Sequence, residues 1–253
     1  MISTWRDFLA ALQFLTRVSV PSRSQAPDSL LRAVKFFPFV GFLIGAAAAF
    51  VHALLAPHLP RLIAAILTVV FLVLSTGCLH EDGLADAADG FGGGWKRDRI
   101  LLIMHDSRIG TYGATALILS LVVRIALIAS LPSERVAAYL IASHVLCRWT
   151  TLPLSYFLPS ARASADSQPT GLGAQIARLT SISTLIIGTS FTVIVVVALL
   201  KIHAIIPIVS AIIITLLSGL YYRRRIQGVT GDCFGATNQL TEVGVYLCGV
   251  WTS

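Results

Sequence analysis

The stretch RLIAAILTVVFLVLSTGCLHEDGLADAADGFGGG, from Arg61 to Gly94, changes character in one step. Between Leu62 and Leu79 it holds no acidic or basic residue; beyond His80 it gathers Glu81, Asp82, Asp86 and Asp89. Six of the chain's twelve carboxylates fall within the 26 residues from Glu81 to Asp106. The apolar half approaches the ~20 residues that cross a ~30 Å hydrocarbon core. An acidic segment continuing it directly belongs at a membrane boundary, since an Asp at the bilayer centre costs about 2.5–3.5 kcal/mol.

The rest of the chain agrees. Only 12% of its 253 residues are charged and 56% are hydrophobic, with a mean hydropathy of +0.82. Soluble domains carry about 25% charge. Apolar segments lie at 36–55, 62–79, 110–131, 136–157, 182–200 and 204–222, with a weaker one at 234–250. The expected class is all-α: a polytopic integral membrane protein of about seven (six or seven) transmembrane helices, folded as one membrane-embedded domain over 1–253. Ahead of them, Trp5, Phe8, Leu12 and Leu15 fall near i, i+3, i+7, i+10, with Arg6, Asp7 and Arg17 elsewhere on the wheel. That pattern predicts an amphipathic helix over 3–20 lying on the membrane surface. Gln13 and Arg17 interrupt it too strongly for a signal peptide. The four cysteines show no C-x-x-C spacing and read as packing residues.

Lys and Arg accumulate on the cytoplasmic side of membrane proteins. With seven spans, fourteen of the nineteen basic residues fall on one side and three on the other, while Arg124 and Arg148 lie within spans. The N-terminus and the 80–108 segment are therefore expected to face the cytoplasm. Topology and anionic lipid account for the formal charge of +7 without a nucleic-acid partner.

Asp82, Asp86 and Asp89 stand at i, i+4, i+7, on a narrow sector of one helix face. Glu81 points aside by about 100° yet is within reach of the same centre. Like charges at that spacing destabilise a helix, so a cation or solvent has to compensate. Oxygen-only ligands favour a hard ion, with Mg²⁺ the default beside phosphates; the competing reading is a solvated acidic face. Gly90 and the run Gly92-Gly93-Gly94 are expected to end the helix and let backbone amides cradle a phosphate, followed by Lys96. It is no P-loop, because Trp95 precedes the lysine and Arg97 follows it. Asp106 either caps the next helix or serves the site, and Arg108 is either an anchor or a phosphate clamp.

Asp232, Asn238, Gln239 and Glu242 make a second polar group in the last apolar segment. Intramembrane acids mark functional sites by default. Arg148, near the cytoplasmic end of its span, suits a phosphate through its planar fork. These parts point to phosphoryl or nucleotidyl transfer at the membrane surface, with an Asp accepting the attacking hydroxyl's proton.

TGCLHEDGLADAADGFGGG (Thr76–Gly94), MHDSRIGTYGA (Met104–Ala114) and GDCFGATNQLTE (Gly231–Glu242) closely resemble the cobalamin synthase family, the adenosylcobinamide-GDP ribazoletransferases. The resemblance extends to ALQFLTRVSVP, FFPFVGFLIG and CRWTTLPLSYFLPSARASADSQPTGLG, nearly the whole chain. It implies an enzyme of late vitamin B12 synthesis in a prokaryotic inner membrane, its site facing the cytoplasm. Such an enzyme joins adenosylcobinamide-GDP to α-ribazole or its 5′-phosphate, releases GMP, requires Mg²⁺ and is compatible with association with other enzymes of the pathway. It implies Glu81, Asp82, Asp86 and Asp89 as metal ligands, with Asp106 beside Asp82, Asp86 and Asp89 among the catalytic residues. Gly92, Gly93, Lys96, Arg108, Arg148, Asp232, Asn238 and Glu242 are then expected to bind substrate, with Arg162 a further phosphate binder. His105 stands where lysine is expected, and the stretch from Arg162 to Gly171 is longer than usual.

Two other classes are weighed. CDP-alcohol phosphotransferases also place aspartates on membrane helices, but after Asp86-Ala87-Ala88-Asp89-Gly90 this chain continues Phe91-Gly92-Gly93-Gly94 instead of reaching Ala-Arg. A cation-coupled transporter would use intramembrane acids, usually within repeated halves, and no internal repeat is visible.

Overall fold

The structure, a computed structural model, describes residues 2–19, 32–162 and 180–252. The basic residues Arg23 and Arg178, and the long stretch from 163 to Gly171, lie outside the described residues. Among those described, every regular element is a helix; Ser160 and Val229 add one isolated parallel bridge.

Helix α1 (Ile2–Leu15) stops short of the 3–20 expected from its pattern. It packs on α2 (Phe37–Leu55), with Phe8 against the rings of Phe36 and Phe39, and leaves Trp5 exposed. Its Asp7 is buried and held by Arg32 at 3.2 Å and Lys35 at 3.3 Å. Gly41 and Gly45 let α2 lie directly on α7 (Val136–Trp149), where a Cβ at either would strike α7 backbone. This is the small-xxx-small contact that brings membrane helices together.

Helix α3 (Arg61–Thr76) is followed by α4 (Leu79–Gly93) after a turn of 87°. Gly77 (φ 65°) and Cys78 (φ 61°) are consecutive left-handed residues, and their amides return to Leu74 and Val73 carbonyls. Glycine takes that conformation freely, whereas Cys78 adopts it against a cost of about 1–2 kcal/mol. Short α5 (Arg97–Ile103) precedes α6 (Thr111–Ser130). After α7 comes α8 (Thr151–Phe157). The expected 136–157 segment breaks between them because Pro153 has no N–H for the Trp149 carbonyl one turn earlier.

Val34–Leu55, Thr111–Ser130 and Ile182–Ile226 are long and apolar enough to cross a membrane, and α3 joined to α4 would be a fourth, broken crossing. The last of the three is not one rod. Lys201 (φ 52°) separates α9 (Ile182–Leu200) from α10 (Ile205–Ile226). Gly188 of α9 and Gly219 of α10 pack on Leu152 and Leu154, neighbours on α8. The two helices therefore fold back as a hairpin. Helix α11 (Gly231–Trp251) closes the bundle.

Polarity is arranged inside out. The outward faces of α2, α3, α6, α9 and α10 expose Phe50, Leu74, Ile118, Ile194 and Leu217. The inner helices α7 and α11 carry the polar load, with His144, Arg148, Asn238, Gln239 and Glu242 all buried. Lipid, not water, is the solvent such a surface fits.

Candidate active site

Helix α4 lies between α6 and α11. Its backbone touches α11 at one point, where a Cβ on Gly83 would be 3.1 Å from the Gly235 Cα. Any side chain there would push the helices apart. The crossing sets Asp82 and Asp86 of α4 near Asp232 in the first turn of α11, which Thr230 caps by accepting from the Cys233 amide.

Asp232 is paired with Arg162, Nη2 to Oδ2 at 3.1 Å. Arg162 reaches it because the loops after α8 and α10 are tied together. The Ala161 amide donates to the Val229 carbonyl at 2.9 Å, and the Val229 amide to the Pro159 carbonyl at 2.9 Å. Asp86 sits level with the first turn of α6, beyond the apolar stretch that ends at Leu79. It is half-buried and feels the charges of Asp82, Asp232 and Asp89. Repulsion between neighbouring carboxylates is what a hard cation would relieve.

Glu81, expected among the ligands, is turned away. The 100° offset from Asp82 aims it at Arg124 of α6, whose Nη2 donates to Oε1 at 2.9 Å, and Gln239 donates to the same oxygen at 3.4 Å. Arg124 Nη1 is shared with Glu242 at 3.3 Å. His144 Nε2 lies 3.8 Å from Glu242, and its Nδ1 is 2.6 Å from Arg148 Nη1. Arginine can only donate, so Nδ1 accepts and the ring proton is on Nε2. Glu81 and Glu242 thus belong to a buried charge network between α4, α6, α7 and α11. Glu81, expected as a metal ligand, and Glu242, expected as a substrate contact, are thus both paired with Arg124 here.

Asp89 also departs from expectation. Its Oδ2 accepts from the Gly110 amide at 2.6 Å and its Oδ1 from the Gly113 amide at 2.8 Å. It caps α6 from a neighbouring helix, taking up donors a helix start leaves unpaired. Each oxygen thus accepts one backbone N–H and keeps a lone pair free.

The glycine run does not form a phosphate cradle. Gly92 and Gly93 remain helical, and Gly92 packs on the Tyr112 ring. The exposed end of α4 is a C-terminus, which offers carbonyls and attracts cations. Arg225 occupies it, donating to the Gly94 carbonyl at 2.8 Å. Lys96 is an exposed residue preceding α5.

Among the described residues, two hollows flank α4. An inner cavity of about 450 Å³ is lined by Asp82, Asp232, His80, Arg148 and Asn238 with several aromatic rings. A shallower cleft of about 640 Å³ holds Asp89, Arg99, His105, Asp106 and Arg108. In that cleft the exposed Arg108 chelates Asp106, Nη2 to Oδ2 at 2.7 Å, and its hydrogen bonds hold the Asp106 carboxyl down to about 2. Asp106 and Arg108 thus line the shallower cleft beside Asp89, whereas Arg148, Asp232 and Asn238 line the inner cavity with Asp82. Among the described residues, no group of three or more His, Cys, Asp or Glu side chains already converges as a metal site. His80 and His144 were not singled out as site residues from sequence; the i, i+4 spacing of His144 and Arg148 inside a span was the available signal.

The family model for cobalamin-5-phosphate synthase matches residues 7–250. A Polaromonas adenosylcobinamide-GDP ribazoletransferase is 37% identical, over 96% of this chain and 95% of its own. The enzyme of the same name from Azorhizobium caulinodans is 41% identical, over 96% and 94%. That from Shewanella frigidimarina is 38% identical, over 95% and 92%. No solved structure matches. With the match covering all the described helices except the ends of α1 and α11, the chain belongs to the cobalamin-5-phosphate synthase family.

Proposed function

We propose that the chain is a membrane transferase joining adenosylcobinamide-GDP to α-ribazole, or its 5′-phosphate, with release of GMP. The observation that carries this is the inner cavity, where Asp82 and Asp232 meet Arg148 and Asn238 beside apolar walls. A ribose hydroxyl attacks the cobinamide-linked phosphorus; the bond from that phosphorus to the bridging oxygen breaks, and GMP leaves with the electron pair. Asp82 and Asp86, with Asp232 nearby, fit Mg²⁺ by donor chemistry and crowding. Such sites commonly use one or two carboxylates plus substrate phosphate, not an all-protein cage. Bound there, Mg²⁺ would neutralise the phosphate oxygens and polarise phosphorus. Asp82 and Asp86 orient that end of the site, and an Asp takes the hydroxyl proton. Arg162, paired with Asp232 at 3.1 Å, supplies positive charge toward the diphosphate.

We read seven crossings, with the site at the cytoplasmic end of an inner membrane. Arg97 bonded to Ile226, and Arg17 to Ser75, lie at the end of the bundle that carries the site. Arg61 bonded to Ser133, and Arg135 to Thr252, lie at the other. The basic residues concentrate at the first end, which supports the cytoplasmic assignment.

The test is purified protein in liposomes with adenosylcobinamide-GDP and α-ribazole, with and without Mg²⁺. Cobalamin and GMP are expected in equal amounts and only with the cation. No product from folded protein would refute the reading.

A further inference from the structure

The inner cavity has a second character that the transfer chemistry leaves unused. Away from Asp82 and Asp232 its walls are Phe14 and Leu15 of α1, Phe37 of α2, Leu79 of α4 and Phe234 of α11. Three of its polar lining residues each keep one buried atom without a partner: His80 Nδ1, Arg148 Nε and Asn238 Oδ1. All three side chains belong to residues more than nine-tenths buried. Unpaired buried polar atoms are costly, and a ligand that pairs them recovers that cost.

We propose that this cavity is the pocket for the flat, apolar base of the nucleoside acceptor. The proposal rests on the transferase reading above and deepens it. At about 450 Å³ the cavity is in the range of single small-molecule sites. A corrin with its amide side chains is several times too large for it. Guanine would bring an edge full of donors and acceptors to a wall of phenylalanines. A benzimidazole-type base brings the reverse: two fused rings and methyl groups that suit aromatic neighbours, and a single free ring nitrogen. That nitrogen is an acceptor, which suits the Arg148 Nε–H, while ribose hydroxyls are donors, which suit Asn238 Oδ1. With the base against the rings, the ribose is left beside Asp82 and Asp232, where its hydroxyl must meet the phosphate. The diphosphate substrate then approaches from the open side, and the two substrates use separate walls of one site.

Two variants and one binding measurement test this. Phe14→Ala removes one ring from the wall, and a roughly tenfold rise in the KM for α-ribazole is expected, with the KM for adenosylcobinamide-GDP unchanged. Leu79→Trp starts from a part-exposed position and fills the cavity; it is expected to favour the unmethylated benzimidazole ribonucleoside over the dimethylated one. Equilibrium dialysis of radiolabelled α-ribazole against wild-type protein in phosphatidylethanolamine–phosphatidylglycerol vesicles reads the pocket without turnover. Saturable binding weakened about tenfold by Phe14→Ala supports the assignment even if no product forms, in which case the transferase reading alone falls. Normal turnover with an unchanged KM for α-ribazole in both variants overturns the pocket. So does a KM change confined to adenosylcobinamide-GDP.

Discussion

Arg124→Met is the most informative change outside the reacting groups. The guanidinium is 1% exposed and stands between Glu81 at 2.9 Å and Glu242 at 3.3 Å. Methionine keeps most of the stem's volume and removes the charge, leaving two carboxylates buried with no cation between them. Removing one partner of a buried pair costs about 3–5 kcal/mol. For a chain of this size each kcal/mol moves the melting temperature by about 2–4 °C, so a loss of roughly 6–20 °C is expected. The same reasoning sets a sharper condition. Glu81→Gln and Glu242→Gln, added to Arg124→Met, remove both uncompensated charges and should return most of that loss. The assay is thermal unfolding in detergent, followed by intrinsic fluorescence for wild type, the single variant and the triple variant. A single variant that melts with wild type would refute the argument. So would a triple variant that melts no higher than the single one.

Four further outcomes follow from the site. Asp82→Asn and Asp86→Asn should each lower turnover by roughly 10²–10³-fold with normal membrane insertion; full activity in both would remove them from the reaction centre. Mg²⁺ needs its carboxylate ligands deprotonated, so the Mg²⁺ concentration for half-maximal rate should rise as the pH falls, read from Mg²⁺ titrations at pH 6 and 8; an unchanged concentration would count against carboxylate ligation. Asp89→Ala leaves the Gly110 and Gly113 amides without their acceptor and should cost about 1–2 kcal/mol of stability, with Asp89→Asn recovering part of it in the same melting assay. Gly83→Val should separate α4 from α11 and abolish turnover, and wild-type rates would show that the close crossing is dispensable.

The helices were readable because a lipid-facing segment must be long and apolar, and 36–55, 110–131, 182–200 and 204–222 are both. Helix α11 was weaker for a physical reason: wrapped by neighbours, it carries Asn238, Gln239 and Glu242 in place of a greasy surface. The period of 3.6 grouped Asp82 with Asp86 and set Glu81 aside by 100°, but nothing local says what stands in that direction. Arg124 is 43 residues away along the chain, and only packing makes it the partner. Asp89 shares the face of Asp82 and Asp86, yet lies one turn further along, where the start of α6 happens to need an acceptor. The glycine run misled for a similar reason. Glycines permit a loop without requiring one, and here their smallness serves contact with Tyr112 and Ile100.

The inside-out distribution of polarity bears on how the protein is made. Helices α2, α6, α9 and α10 are apolar enough to partition into lipid one at a time, whereas α11 is not, and α4 still less so. Segments of that kind enter a bilayer with neighbours that already hold their charge partners. Glu81 leaves the ribosome 43 residues before Arg124 and 161 before Glu242, so its charge partner and the second acid of the network are made only with α6 and α11. The crossing that sets Asp82 and Asp86 near Asp232 is therefore expected to close only after α11 has been made.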